Sequence, residues 1–155
     1  MNLLNTLHKL ATRAQHTLYS FIGFITLGAR AIVINSENQI LLVKHTYDPH
    51  WYLPGGGVKR GESAKAAVLR ELKEEVGVVT TEEPVLFGIY FHTYLEIDDY
   101  PVIYIVKSYS LSNSNSWEIQ EKAWFHSEQL PERVSPGTQR RLDEYFMQSI
   151  QSEWW

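Results

Sequence analysis

The stretch Gly55–Val78, GGGVKRGESAKAAVLRELKEEVGV, decides how the rest of the chain is read. It runs from a glycine-rich loop into a segment dense in glutamate and ends near a glycine. Ser63 is the expected N-cap, because its hydroxyl can accept a hydrogen bond from an orphaned backbone N–H of the first turn. Ala64, Ala66, Ala67, Leu69 and Leu72 favour a helix. Gly77 can take the left-handed conformation that closes one. The spacing therefore predicts a helix over residues 64–76. Glu71, Glu74 and Glu75 lie three and four residues apart, which makes them neighbours on one face; like charges so placed weaken a helix by roughly a few tenths of a kcal/mol per pair. Such clustered carboxylates suit a hard cation, Mg²⁺ or Mn²⁺. A charged surface helix is the competing reading, since Lys65, Arg70 and Lys73 lie on the same segment.

The wider spacing separates the two readings. Five residues follow Gly56 before Glu62, and seven more precede Arg70; then come Glu71, Leu72, Lys73, Glu74, Glu75, Val76, Gly77 and Val78. This resembles the signature of the Nudix hydrolases, the Nudix box, at all nine specified positions over twenty-three residues. The flanks are similar too. Trp51-Tyr52-Leu53-Pro54 leads into the glycines, and two strands joined by a turn come before it.

The resemblance implies an α/β (α+β) fold, the Nudix α-β-α sandwich with a mixed sheet between helices, over residues 25–155. An N-terminal amphipathic helix, residues 1–24, precedes it. It implies an Mg²⁺-dependent hydrolase in which water attacks phosphorus in a nucleoside diphosphate linked to another group. Mn²⁺ is the other suitable ion. Carried over residue by residue, Glu71, Glu74 and Glu75 are the catalytic metal ligands, one of them a base toward a bound water. Arg70 holds an adjacent glutamate through its fork of donors. Glu62 supports the metal site, and the carbonyl of Gly56 completes the coordination. Relatives often add a carboxylate from a later loop. Glu118 and Glu121 are the candidates here, with Glu118 favoured. The alternative is a Nudix-fold module that binds a nucleotide without cleaving it. The proline of ADP-ribose hydrolases is absent, because Thr93 and Tyr94 stand in its place. Tyr94 also falls one residue short of the tyrosine of dinucleoside polyphosphate hydrolases. The extended motif of NADH hydrolases is missing, so no subfamily is assigned.

Other residues are read without the resemblance. Lys44 ends a strand leading to the glycine loop and is a candidate phosphate contact. Trp51, Tyr52, Tyr90 and Tyr94 are candidates to stack on a base, against the commoner role of packing. His45, His92 and His126 are weaker candidates for acid, base or ligand.

The 155 residues, 44% hydrophobic and 21% charged, point to one globular domain with a real core. There is no cysteine, which excludes disulfides, thiolate metal sites and a cysteine-dependent isomerase, and is compatible with a cytoplasmic protein. A formal net charge of -4 argues against a nucleic-acid polymer as partner. It does not argue against a small anionic nucleotide, since a bound cation inverts the local charge.

Along the chain, Leu3, Leu7, Leu10, Ala14 and Leu18 give residues 1–20 an amphipathic helical period. Packing on its own domain or in a homodimer is the preferred role; a membrane-surface helix and a signal peptide are the lesser ones. Strands are expected at residues 25–35 and 40–46, forming a hairpin, then at 85–95, 102–111 and within 117–126. Residues 47–52 and the acidic 96–101 read as loops, and 127–131 as a short helical turn. Pro136 opens a last helix, to about residue 149, that is expected to bury Leu142, Tyr145, Phe146 and Ile150.

Overall fold

The computed structural model describes residues 25–94 and 97–155. The expected N-terminal helix therefore lies outside the described residues, as does the side chain of Tyr94.

Among the described residues, ten strands and two α-helices follow one another. They are β1 (Ile25–Val33), β2 (Ile40–His45), β3 (Trp51–Tyr52), β4 (Gly55–Gly57), α1 (Ala64–Glu71), β5 (Val78–Thr80), β6 (Val85–Ile89), β7 (His92–Tyr94), β8 (Ile97–Val106), β9 (Tyr109–Leu111), β10 (Ile119–Phe125) and α2 (Pro136–Phe146). A mixed sheet has the order β4-β1-β8-β6, with β7 also on β8; a second has the order β10-β2-β3; β5 and β9 pair separately.

Two apolar clusters form the core, one on each side of this strand layer. Ala29, Ala31 and Val33 of β1, Leu41 and Val43 of β2, and Val102 and Tyr104 of β8 pack against Ala67, Val68 and Leu72 of the box segment. Residues of the opposite parity, Ile32, Ile40, Leu42 and Ile103, pack with Trp51, Leu53, Tyr90 and Leu142 of α2. Successive side chains alternate between faces, so both faces of β1 and β2 are covered and both read as nearly continuous apolar runs. The result is the expected α-β-α sandwich.

Several local expectations are corrected. β1 and β2 do not form a hairpin: beyond a bridge between Ile34 and Ile40 they join different sheets, β1 running parallel to β8 and β2 antiparallel to β10. The turn between them is as read, with the Asn35 side chain accepting from the N–H groups of Glu37 and Gln39 at 3.0 and 2.9 Å. The acidic segment is no loop, because residues 97–101 belong to β8 and residues 98–101 pair with the start of β1. Residues 107–108 break the next strand, and β9 turns away to pair with β5. Trp51 and Tyr52 form a short strand on β2. The strand expected over 85–95 is interrupted at Tyr90 and Phe91, whose N–H groups bond to Pro101 and Glu153. Residues 127–131 make only a turn, closed by Gln129 N–H to His126 C=O. Helix α2 ends at Phe146, and Ile150 is 96% exposed rather than buried.

The box segment starts as read, with Ser63 accepting from Ala66 N–H at 3.1 Å. After Glu71 it widens into a π-helical turn, Leu72–Val76, closed by Gly77 at φ 75°. π turns of this kind are rare and are frequently found at functional sites. A Cβ at Gly77 would meet the Ser112 carbonyl at 2.1 Å, so glycine is required there.

Candidate active site

The box helix meets the glycine loop through β4, which pairs antiparallel with β1. Gly55 has φ +139°, and a Cβ there would lie 2.2 Å from the Ala29 carbonyl. A Cβ at Gly56 would lie 2.7 Å from the Glu71 carboxylate. Both glycines thus let the loop backbone reach the acids.

Arg70 organises one side. Its Nε and one amino group donate to the two carboxylate oxygens of Glu62 at 2.9 and 3.0 Å. Its other amino group donates to Glu71 at 2.5 Å and, more weakly, to Glu74 at 3.4 Å. Hydrogen bonding from Arg70 holds the Glu62 carboxyl down at about 2. Glu62 also accepts from Lys59 N–H, so it is an anchor with its lone pairs in use.

Glu75 is different. It is 5% exposed and, among the described residues, accepts a single hydrogen bond, from Gly55 N–H at 2.9 Å. Burial pushes its carboxyl up to about 7; Gly55 N–H and the Arg30 charge oppose the rise, while the Glu71 and Glu118 charges add to it. Glu71 and Glu118 thus both repel Glu75, with Arg30 opposing them and Arg70 already paired with Glu71. Glu74, by contrast, has a 57% exposed side chain at the rim.

The strand register separates the remaining candidates. Lys44 pairs with Trp51 on one neighbour and Glu121 on the other, so these three share a face. That face belongs to the α2 cluster, where Trp51 is 7% exposed and packs edge-on against Phe125. Tyr90 is 1% exposed on that side and donates to Glu144 at 2.9 Å. Lys44, Trp51, Tyr90 and Glu121 are therefore not brought to the box acids. Val43 pairs with Tyr52 and shares its face with His45. Tyr52 stands 5.6 Å from His45, ring to ring. Glu118 is beside this group, and its charge is felt by both Glu75 and Tyr47. His92 is paired with Asp99 at 3.0 Å and His126 with Gln39 at 3.2 Å.

Sequence reading missed Arg30. Its guanidinium lies 5.9 Å from the Tyr52 ring centre and donates to the Leu53 carbonyl at 3.2 Å. A cation within a β-branched, apolar strand, ARAIV, is the signal that could have found it.

Whether these residues fit a divalent ion can be asked of the geometry. Among the described residues no three His, Asp or Glu side chains stand close enough to enclose a metal as they are. The donor set nonetheless fits one. Oxygen ligands only, a carboxylate lodged where a Gly56 Cβ would be, and an under-neutralised buried acid are what a hard cation requires.

Comparison with known proteins agrees with this architecture. A model of the NUDIX domain matches residues 25–146, and the chain belongs to the NUDIX family. A putative 8-oxo-dGTP diphosphatase of Bacillus subtilis is 56% identical over 52 residues, 34% of this chain and 35% of that protein. An ADP-ribose pyrophosphatase of Methanocaldococcus jannaschii is 41% identical over 61 residues, 37% and 36% of the two chains. The alignments thus span about a third of these relatives. Among solved structures, a MutT NUDIX hydrolase from Burkholderia pseudomallei superposes with a TM-score of 0.69 at 24% identity, covering 77% of this chain and 97% of that one. No described helix is long and apolar enough to cross a membrane.

Proposed function

We propose that this protein is a divalent-metal-dependent hydrolase that cleaves the diphosphate linkage of a small nucleotide derivative. The observation that carries the reading is Glu75: a buried carboxylate with one hydrogen bond, from the glycine loop, that also feels the charges of Glu71 and Glu118. Burying a charge without full pairing is costly, and a structural role gives no reason for placing three carboxylates together. Relatives named for diphosphatase and pyrophosphatase activity support the same class.

Glu71, Glu75 and Glu118 would hold the metal, with the Gly56 carbonyl and Glu74 at its edge. Mg²⁺ is the ion favoured, with Mn²⁺ as substitute. A bound divalent ion supplies charge neutralisation on phosphate oxygens and a water of lowered pKa. Arg70, itself held by Glu62 and the Gly57 carbonyl, fixes the direction of Glu71 by donating to it. Gly55 N–H holds one Glu75 oxygen and so fixes the carboxylate in place. Arg30 supplies the protein's own positive charge next to Glu75 and would face a substrate phosphate. The proton released by the attacking water passes to a box carboxylate.

The test is product formation from nucleoside triphosphates, ADP-ribose, dinucleoside polyphosphates, sugar nucleotides and NADH, with Mg²⁺, Mn²⁺ or chelator. Wild type runs beside Glu75→Gln. Metal-dependent turnover of one class, lost in the variant, is expected. Tight nucleotide binding with no turnover under any metal would instead establish a non-cleaving binding module.

A further inference from the structure

We propose that Lys122 is a positioning residue of the metal site. By taking up a carbonyl at the end of the π turn it ties the box to the strand that follows Glu118, and so sets how Glu75 and Glu118 stand toward one ion. This role rests on the diphosphate-hydrolase reading and belongs to residues which that reading leaves unused.

The i→i+5 ring of a π turn is rare beside the α-helical ring that the same residues could close. One that persists calls for contacts that favour it over the α register. The last carbonyls of any helix lack partners within it, and here two of them are met from the same side. Gly77 C=O accepts from Ser112 N–H at 2.7 Å and from the Ser112 hydroxyl at 3.1 Å. Val76 C=O accepts from Lys122 Nζ at 3.2 Å, and Val76 itself is 3% exposed. Lys122 Nζ also donates to the Ser114 hydroxyl at 2.7 Å. A cation at this end suits the negative pole of the helix. The pairing of β5 with β9, with Val78 opposite Leu111, carries Ser112 to its place against Gly77.

Lys122 reaches the turn from β10. It pairs with Val43, whose side chain lies on the face of the box helix. The register of β10 shifts between Ile119 and Glu121. Glu118 stands just before that strand, its carbonyl accepting from Thr46 N–H at 2.9 Å. The bond from Nζ to Val76 therefore joins the strand that follows Glu118 to the turn in which Glu75 precedes Val76. A metal shared by these two carboxylates needs both elements held together, and partners behind the ligands supply that hold. The lysine head is no surface ion pair of the kind that Lys65 makes with Glu83. Among the described residues its acceptors are a carbonyl and a hydroxyl.

The experiment titrates Mn²⁺ into full-length wild type, Lys122→Met, Lys122→Arg and Lys107→Met without nucleotide, and reads free Mn²⁺ by electron paramagnetic resonance. Lys122→Met keeps the apolar stem and loses the donor. Coulomb attraction alone predicts tighter Mn²⁺ binding when a cation is removed. Lys107→Met, whose cation lies over Tyr145 of α2, reports that general effect. Loss of position predicts the reverse sign. Lys122→Met should bind Mn²⁺ about tenfold more weakly, the lower end of what partners of metal ligands contribute. Lys122→Arg, which keeps a charged donor, should recover most of this. In turnover, the Mg²⁺ needed for half-maximal rate should rise by the same factor, while KM for the nucleotide at saturating Mg²⁺ stays near wild type. Unchanged or tighter Mn²⁺ binding in folded Lys122→Met overturns the proposal. If that variant does not fold, Ser114→Ala, which removes the second acceptor of Nζ, carries the same titration: weaker binding supports the role and unchanged binding overturns it. Wild type that binds no Mn²⁺ removes the metal-dependent reading and this role with it. Mn²⁺ bound equally by all four proteins removes this role alone.

Discussion

Two buried glutamates, Glu75 on the box helix and Glu144 on α2, occupy opposite sides of the same strand layer and have opposite fates. Glu144, 8% exposed, is fully engaged. It receives Arg141 at 2.6 Å, the Tyr90 hydroxyl at 2.9 Å and Ser152 N–H at 3.0 Å. Arg141 in turn lies 3.8 Å over the Tyr90 ring and donates to the Trp154 carbonyl. Glu75, 5% exposed, has one backbone N–H and two neighbouring carboxylates. The first acid closes a network that fastens the C-terminal segment to the domain. The second leaves a deficit of positive charge. Burial alone does not distinguish structure from function; the completeness of the partners does.

The comparison can be broken most sharply by Glu75→Gln. It should lower metal-dependent kcat on the order of 1,000-fold, since metal ligation supplies several kcal/mol of transition-state stabilisation. A folded variant with near wild-type turnover would remove Glu75 from the site. The matching change, Arg141→Ala, should cost about 3–5 kcal/mol of stability by leaving Glu144 buried and unpaired. Urea denaturation measures this, and activity per folded molecule should survive below the transition.

The pH dependence sharpens the contrast. The folded Glu75 carboxyl stands at about 7, against an ordinary 4.5. The folded state thus binds this proton more tightly than the unfolded chain. Its contribution to stability is fully present below about 4.5 and is lost as pH rises through about 7. The shift corresponds to about 3 kcal/mol. His45 acts in the opposite sense: burial first, then Arg30, lowers it to about 4, so its contribution is lost as pH falls from 6.5 toward 4. The difference between wild type and Glu75→Gln isolates the first group. In chelator at pH 8 the variant should be the more stable, with the gap closing toward pH 5. Added Mg²⁺ should stabilise wild type far more than the variant. The smallest effect belongs to Ser63→Ala, which removes the cap of α1 and should cost about 1 kcal/mol in thermal unfolding with little change in kcat.

Much of the site was legible because its residues are close in sequence. The cap at Ser63 and the stop at Gly77 follow from spacing along one helix and its loop, and the resemblance implied that Arg70 holds an adjacent glutamate; its fork onto Glu62 came from the structure. Tyr52 was one aromatic candidate among several, and strand parity then separated it from Trp51 beside it. Lys44 and His45 were divided in the same way, since neighbours on a strand face opposite sides. No pattern within a single strand says which face meets the box helix.

What the sequence by itself determined is the box and its acidic character, settled by spacing within a few residues, and the α-β-α class, implied by the order of elements and by the family resemblance that the box carries. Only the tertiary structure decided that β1 runs beside β8 rather than back along β2, that Glu75 is buried while Glu74 is exposed, and that Arg30 stands beside Glu75. The physical reason is the same in each case. Pairing between distant strands, and the burial that follows from it, depends on contacts far apart in the chain, whereas helix caps and glycine turns are settled within a few residues.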